Sequence, residues 1–157
     1  MDKDKEKGKR YCFRLISLRP RSIYEIKERL REKGYSDEMI DDIRKGLEEK
    51  NLLNDVKFTE EWIELRLRTT PRATRVIKIE LEQKGVSEDI IDKVFIKKSD
   101  DLNDEKIAKG LIQNKLSSLN KESTRDKKIK LFRLLLSKGF DREIAEEVIE
   151  RFLLVQE

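Results

Sequence analysis

One short motif, Leu-x-x-Lys-Gly-apolar-(Ser/Asp), occurs three times in this 157-residue chain, over residues 30–36, 81–87 and 135–141. The glycines of the three copies are 51 and 54 residues apart. Apolar residues also recur eight positions before each glycine and nine positions after it, as Ile26, Ile77, Leu131 and Ile43, Val94, Val148. Self-similarity at a fixed period is typical of repeat architectures, so the sequence predicts three copies of one structural unit.

Each copy is typical of two helices joined by a glycine turn. The glycine supplies the left-handed residue after the first helix, and Ser36, Ser87 and Asp141 can cap the second. A capping box at Ser22-Ile-Tyr-Glu25 predicts a helix over 22–33, and a third amphipathic segment precedes each pair. No stretch alternates long enough to indicate a strand. The expected fold is all-α, a tandem array of three three-helix repeats that stack into an elongated, curved rod.

The expected boundaries are a disordered N-terminus over 1–8, which is charged and lacks a packing face, and repeats over 9–53, 54–98 and 99–157. No apolar stretch approaches the ~20 residues of a membrane-spanning helix. The N-terminus has no apolar core of a secretory signal, so a cytoplasmic location is expected.

Histidine is absent and Cys12 is the single cysteine. The chain therefore lacks an imidazole for general base catalysis or for a metal, and it cannot form an internal disulfide. These absences exclude most familiar enzyme designs, and we expect neither catalysis nor a metal or cofactor. Cys12 is expected to be a small buried residue, and Phe58 and Trp62, one helical turn apart, are expected to pack in the core.

The net charge is only +4, from 37 basic and 33 acidic residues, but the charges are unevenly distributed. Three windows, residues 9–24, 65–79 and 127–140, contain bases and no acids. Equivalent helices of stacked repeats lie on one side, which predicts a basic face for a polyanion or an acidic protein. Two other interpretations stay open: solvated helix surfaces, and the surface ion pairs of a heat-adapted protein. The candidate partner-binding residues are Arg14, Arg19, Arg21, Arg66, Arg68, Arg72, Arg75, Lys78, Lys128, Lys130 and Arg133.

Several segments occur in a recognisable order: Arg19-Pro-Arg-Ser22 and Glu25-Ile-x-x-x-Leu30-x-x-Lys-Gly34, then Leu52-Leu-Asn-Asp55-x-x-Phe58-x-x-x-Trp62-Ile-x-x-Arg66, then Ile77-x-x-Glu80-Leu81-x-x-Lys-Gly85. Over residues 10–95 this order resembles the RecX family, small bacterial regulators of the RecA recombinase. The third repeat matches more loosely, through Lys130-Leu131-x-Arg133 and Lys138-Gly139-Phe140. The sequence departs from the family at 69–74, where a glycine-containing segment is more usual, and at Val76, where a basic residue is common.

The resemblance implies a helical-repeat protein that lies in the groove of the RecA–DNA filament, inhibits its ATPase and strand exchange and limits filament growth. Carried over by position, Arg66, Arg72, Arg75 and Lys78 lie where the family is also basic, and charge reversal at Arg72 and Arg75 is expected to abolish inhibition. We expect a monomer whose partner is the RecA filament, with contact to single- or double-stranded DNA left open. The alternatives are a DNA-binding protein without sequence preference that competes for the DNA lattice, and a scaffold for an unrelated acidic partner.

Overall fold

The computed structural model describes residues 2–155, and this part of the chain is almost entirely helical. It contains nine α-helices, one short 3-10 helix at Ser117–Leu119, and no strand, which confirms the predicted all-α class. The α-helices are α1 (Asp2–Leu18), α2 (Ile23–Glu32), α3 (Asp37–Glu49), α4 (Asp55–Thr69), α5 (Thr74–Gln83), α6 (Glu88–Lys97), α7 (Asp104–Leu116), α8 (Thr124–Ser137) and α9 (Arg142–Leu154).

The described chain divides into two compact units. The first contains the residues up to 62 together with Glu80–Val94, and the second contains Ile63–Ile79 together with the residues from 95 onward. The predicted second repeat, 54–98, contributes residues to both units. Compact units and sequence repeats therefore do not coincide, and the repeat boundaries remain a prediction.

The first unit has a core formed by α1, α2 and α3. Each of these helices contributes buried side chains at helical spacing, namely Cys12, Leu15, Ile26, Leu30, Ile40, Ile43 and Leu47, with Leu53 from the loop after α3. Cys12 is fully buried, as predicted, and burial raises the pKa of its thiol to about 11. The thiolate that would react is therefore scarce at neutral pH.

The second unit has its own core, formed mainly by α7, α8 and α9. Its members are Ala73, Ile107, Ala108, Ile112, Leu119, Leu131, Leu135, Phe140, Ala145, Val148 and Ile149. Phe140, the residue that follows the third repeat glycine, is among the largest fully buried side chains of the described chain. The apolar periodicity of the third repeat therefore produces a complete packed layer.

Helix α1 begins at Asp2, so the expected disorder over 1–8 is wrong for residues 2–8, and Met1 lies outside the described residues. The helix packs closely at Gly8, which is buried because it has no side chain. A Cβ added there would lie only 2.6 Å from Cδ1 of Ile43. Asp2 and Asp4 in the first turn have the charge that a helix N-terminus favours. A packing face of this kind contains no apolar side chain that would mark it in the sequence.

The three repeat glycines end their helices in left-handed conformations, with φ of +90° at Gly34, +76° at Gly85 and +90° at Gly139. After each glycine the next backbone N–H donates to a carbonyl five residues earlier, at 3.2, 3.1 and 3.1 Å respectively. This is the bond of a Schellman motif, which the left-handed glycine makes possible. Of the three caps predicted after these turns, Ser36 and Ser87 accept from the backbone, whereas Asp141 lies at the cap position without a side-chain hydrogen bond.

One contact between consecutive repeats occurs twice, once in each unit. In the first unit the hydroxyl of Ser22, the cap residue of α2, donates to the carbonyl of Lys84 at 2.6 Å. In the second, the N–H of Ala73, which precedes α5, donates to the carbonyl of Lys138 at 3.0 Å. Each acceptor precedes a repeat glycine. The start of each of these middle helices is thus hydrogen-bonded to the glycine turn of the next repeat.

A carboxylate completes each of these contacts. Oδ1 of Asp55 accepts from the N–H of Ile23, and Oδ1 of Asp104 accepts from the N–H of Thr74, both at 2.9 Å. Burial raises the pKa of Asp55, and the hydrogen bond from Ile23 only partly offsets this effect. The first N–H of a helix has no partner within the helix, so these two aspartates satisfy donors that lie 32 and 30 residues away.

Candidate interaction surface

The candidate residues in the first unit have different roles. Arg14 is exposed on α1 and makes no ion pair or side-chain hydrogen bond with a described residue. Arg19 pairs with the carboxylate of Glu25, and Nε of Arg21 donates to the carbonyl of Leu15 at 3.3 Å. Burial, followed by the charge of Arg19, lowers the pKa of the Arg21 guanidinium. Arg19 and Arg21 therefore hold the loop between α1 and α2, and Arg14 is available to a partner.

Glu25 is the centre of a network that the sequence pattern does not indicate. Burial alone would raise the pKa of its carboxyl, but the hydrogen bonds from Arg19 and the Ser22 N–H and the charge of Lys84 lower it overall. Nζ of Lys84 lies 3.7 Å from Oε2 of Glu25 and 5.3 Å from the centre of the Trp62 ring. The only available signal was the capping box, which predicts the bond to Ser22 and not the pairing with Lys84.

Trp62 belongs to this network more than to the core. Its ring stacks at 6.0 Å on that of Phe58, which is buried as predicted. Trp62 itself is half-buried, and its Nε1–H donates to Oε2 of Glu80 at 2.9 Å. The hydrogen bond to Glu80 and the lysine over its face hold the indole within the second repeat, and it is Lys84 that reaches Glu25 of the first.

In the second unit three candidates have intramolecular contacts that restrain them. Nε of Arg75 donates to the carbonyl of Gly139 at 2.5 Å, in the same contact that joins Ala73 to Lys138. Nη1 of Arg66 donates to the Thr70 hydroxyl at 2.8 Å, and Nζ of Lys130 lies 2.7 Å from Glu122. Arg72 and Lys78 are half-buried. Charge reversal at Arg75 would therefore disturb the fold as well as any partner site.

The remaining candidates of this unit are available to a partner. Arg68 on α4 and Lys128 and Arg133 on α8 are exposed, and none of them makes an ion pair or side-chain hydrogen bond with a described residue. Together with Arg14 of the first unit, they form the set that we name the open cations. They are the candidates whose charge has no structural use within the part of the chain that the structure describes.

Exposed apolar side chains accompany the basic windows. Ten large apolar residues are exposed among those described, and seven of them lie in the three windows, which make up less than a third of the described chain. These seven are Phe13, Leu18, Tyr24, Leu65, Ile79, Ile129 and Leu136. On α8, Ile129 and Leu136 lie four residues before and three after Arg133, so they share its face of the helix. Leu18 and Leu65 are 73% and 41% exposed.

The described residues contain no arrangement of three or more His, Cys, Asp or Glu side chains that could hold a metal ion. Among the described helices, none has the length and apolar character needed to cross a membrane.

Comparisons with known proteins agree with the repeat architecture. Residues 9–43 match the family model described as RecX, first three-helix domain, and residues 54–94 match RecX, second three-helix domain. Regulatory protein RecX of Clostridium perfringens (strain 13 / Type A) is 37% identical over 148 residues, which cover 92% of this chain and 68% of that protein. Regulatory protein RecX of Haemophilus influenzae (strain ATCC 51907 / DSM 11121 / KW20 / Rd) is 34% identical over 131 residues, covering 83% and 84%.

Solved structures give the same result. The crystal structure of RecX from Lactobacillus salivarius superposes with a TM-score of 0.78 at 25% sequence identity, covering 98% of this chain and 99% of that one. Sequence and fold therefore agree along nearly the whole chain. The chain belongs to the RecX family of regulatory proteins.

Proposed function

We propose that this protein regulates the RecA recombinase, mainly as an inhibitor, by binding in the groove of the RecA–DNA filament and suppressing ATPase activity, strand exchange and filament growth. The family assignment supports a regulatory role. We name RecA as the partner because the resemblance of the sequence to the RecX family implies it. In this proposal the chain performs no chemistry and acts by occupying a surface of the filament.

The observation that carries the proposal is that the basic windows contain both exposed arginines and exposed large apolar side chains. A surface that only tracks phosphates needs cations and has no use for exposed leucine or isoleucine. Protein interfaces, in contrast, are enriched in arginine and large apolar residues, and their energy is concentrated in a few such side chains. The set formed by Ile129, Arg133 and Leu136 on α8 has this character.

The test is the ATPase activity of RecA on single-stranded DNA, titrated with this protein. We expect inhibition near or below stoichiometric ratios. Charge reversal at two open cations, Arg68→Glu with Arg133→Glu, should weaken inhibition about tenfold or more, because each guanidinium can pair bidentately with a carboxylate or a phosphate. The matched control is Lys109→Glu with Lys115→Glu, which makes the same charge change at exposed lysines of α7 outside the windows.

A third variant separates protein recognition from phosphate binding. Leu136→Ser changes no charge, so it should weaken inhibition while leaving binding to bare DNA unchanged. If inhibition instead requires saturated DNA, and affinity for bare single strands falls with a log–log salt slope of about −0.7 per phosphate contacted, the protein competes for the lattice and the filament proposal is wrong. Full inhibition by the Arg68/Arg133 variant would show that these two open cations are not part of the site.

A further inference from the structure

A basic cleft opens in the first unit, between α1 and the turn that follows α2. Its volume is about 350 Å³. Four residues at helical spacing on α1 and two residues of the turn line it: Lys7, Arg10, Tyr11, Arg14, Lys33 and Tyr35. The α1 residues are spaced i, i+3, i+4 and i+7, which places them on one face of the helix. The cleft therefore gathers four cations and two tyrosines, with no carboxylate in its lining.

The charge of this cleft is uncompensated within the described chain. None of its four cations makes an ion pair with a described carboxylate, whereas cations nearby in the same unit do so, as Arg44 does with Glu48 at 2.6 Å. Nζ of Lys33 lies 5.0 Å from the centre of the Tyr11 ring. Like charges that are held together at a cleft repel one another and raise the local affinity for an anion.

The second repeat contains the same arrangement with its anion in place. Lys84 lies 51 residues after Lys33, and Trp62 lies 51 residues after Tyr11. This is also the spacing between Gly34 and Gly85. Nζ of Lys84 lies 5.3 Å from the Trp62 ring centre, much as Lys33 lies over Tyr11, but it is also 3.7 Å from the carboxylate of Glu25. The second repeat thus indicates that a carboxylate completes this lysine–aromatic pair.

The element that supplies Glu25 is the start of a helix with a capping box. Ser22 caps α2, Glu25 is its third residue, and the Ser22 hydroxyl reaches the carbonyl of Lys84 in the turn. Tyr24 covers Gly85 so closely that an added Cβ would overlap it. At Gly34 an added Cβ would meet nothing within 4 Å. The turn at Gly34 therefore has open space beside it, whereas the equivalent turn at Gly85 lies against the start of α2.

We propose that the Lys33–Tyr35 turn and its basic cleft receive the start of an acidic helix from a partner protein, with a Ser/Thr-x-x-Glu cap whose glutamate pairs with Lys33 over Tyr11. The four cations of the cleft select a partner helix with further carboxylates in its first turns. A second copy of this chain fits poorly, because α2 is the only described helix with a Ser/Thr-x-x-Glu cap and its Glu25 already pairs with Arg19 and Lys84. The proposal does not depend on RecA being the partner.

The test uses the full-length, isotope-labelled protein and a stapled acidic helix of about 14 residues that begins Ser-Pro-Glu-Glu, since unconstrained helices of this length are marginal in water. Backbone amide shifts should change at residues 7–14 and 33–35. Lys33→Glu and the milder Lys33→Gln should each weaken binding, the first about tenfold, which corresponds to the loss of a charge-assisted hydrogen bond. Gln in place of the peptide's second Glu should weaken binding by a similar factor.

The matched control is Lys50→Glu, at the far end of α3, which makes the same charge change about 20 Å along that helix from the turn. Binding of the peptide to this variant should be unchanged within about twofold, allowing for long-range charge. Equal weakening by Lys33→Glu and Lys50→Glu, or shifts outside the cleft, would overturn the proposal. So would an oligo(dT) that shifts the cleft amides when the peptide does not, since the cleft would then be a nucleic-acid site.

Discussion

Replacing Gly85 by alanine is expected to destabilise the first unit far more than the same change at Gly34. Both residues have left-handed φ, +76° and +90°, so alanine at either position incurs the same backbone strain, ~1–2 kcal/mol. At Gly34 that strain is the whole cost, because an added Cβ meets nothing within 4 Å. At Gly85 the new methyl group would overlap Cβ and Cγ of Tyr24.

The overlap at Gly85 cannot be relieved by a side-chain rotation alone. The Cβ of Tyr24 is fixed to the backbone of α2, so the start of that helix has to move away from the turn. Overpacking of this kind costs ~1–3 kcal/mol, and the movement also weakens the bond from the Ser22 hydroxyl to the Lys84 carbonyl. We therefore expect Gly85→Ala to lower the free energy of unfolding by ~2–5 kcal/mol, and by at least ~1 kcal/mol more than Gly34→Ala.

The assay is urea unfolding followed by the fluorescence of Trp62, the single tryptophan, whose ring lies beneath Lys84 in this contact. Gly110→Ala is the control, since Gly110 lies inside α7 with open space around it and alanine in a helix should stabilise by ~0.5–1 kcal/mol. Equal losses at Gly34 and Gly85 would refute the reasoning, because the contact between the repeats would then contribute nothing beyond backbone strain.

Three further predictions concern the same contacts. Glu25→Gln should lower stability at pH 7 and progressively less toward acid. Because the pKa of Glu25 is lowered in the fold, the stability that its carboxylate contributes is present above its unfolded pKa and is lost as pH falls through the folded value. Urea midpoints across about pH 7 to 3 would test this. Asp104→Ala should cost about 1 kcal/mol, since it leaves the Thr74 N–H without its acceptor; Asp104→Asn, which keeps an oxygen there, should cost less, and equal losses in thermal melts would contradict the capping role. Cys12 should resist a thiol reagent in the native protein at pH 7 and react at once in urea, because its pKa is about 11; rapid labelling of the native protein would contradict its burial.

The helices and their ends could be predicted because their signals are local. The capping box at Ser22 and Glu25 forms as the spacing of the two residues predicts, and the three repeat glycines adopt the left-handed conformation that a helix C-terminus requires. In these cases the interacting groups lie within six residues of each other, so the sequence pattern contains the whole interaction.

Contacts between distant residues were not predictable in this way. Asp55 and Asp104 look like ordinary acidic residues in the first turn of their own helices, yet each accepts from the start of a helix about 30 residues earlier. Gly8 is buried because the neighbouring Ile43 side chain needs its space, so a charged segment that lacks apolar residues still packs. Both features depend on a partner that only the fold brings close.

The same limit explains why the basic windows gave a mixed set of candidates. A count of charges treats Arg75 and Arg133 alike, but Arg75 donates to the carbonyl of Gly139 whereas Arg133 is exposed between Ile129 and Leu136. The repeats make the roles of these cations still harder to predict, because equivalent residues have different neighbours in each repeat. Lys84 is neutralised by Glu25 from the preceding repeat, whereas the equivalent Lys33 makes no ion pair with a described carboxylate and lies over the Tyr11 ring. The turn at Gly34 therefore leaves open the surface that the equivalent turn at Gly85 presents to Tyr24 of α2, and it is at the Gly34 turn that we expect a second protein to be recognised.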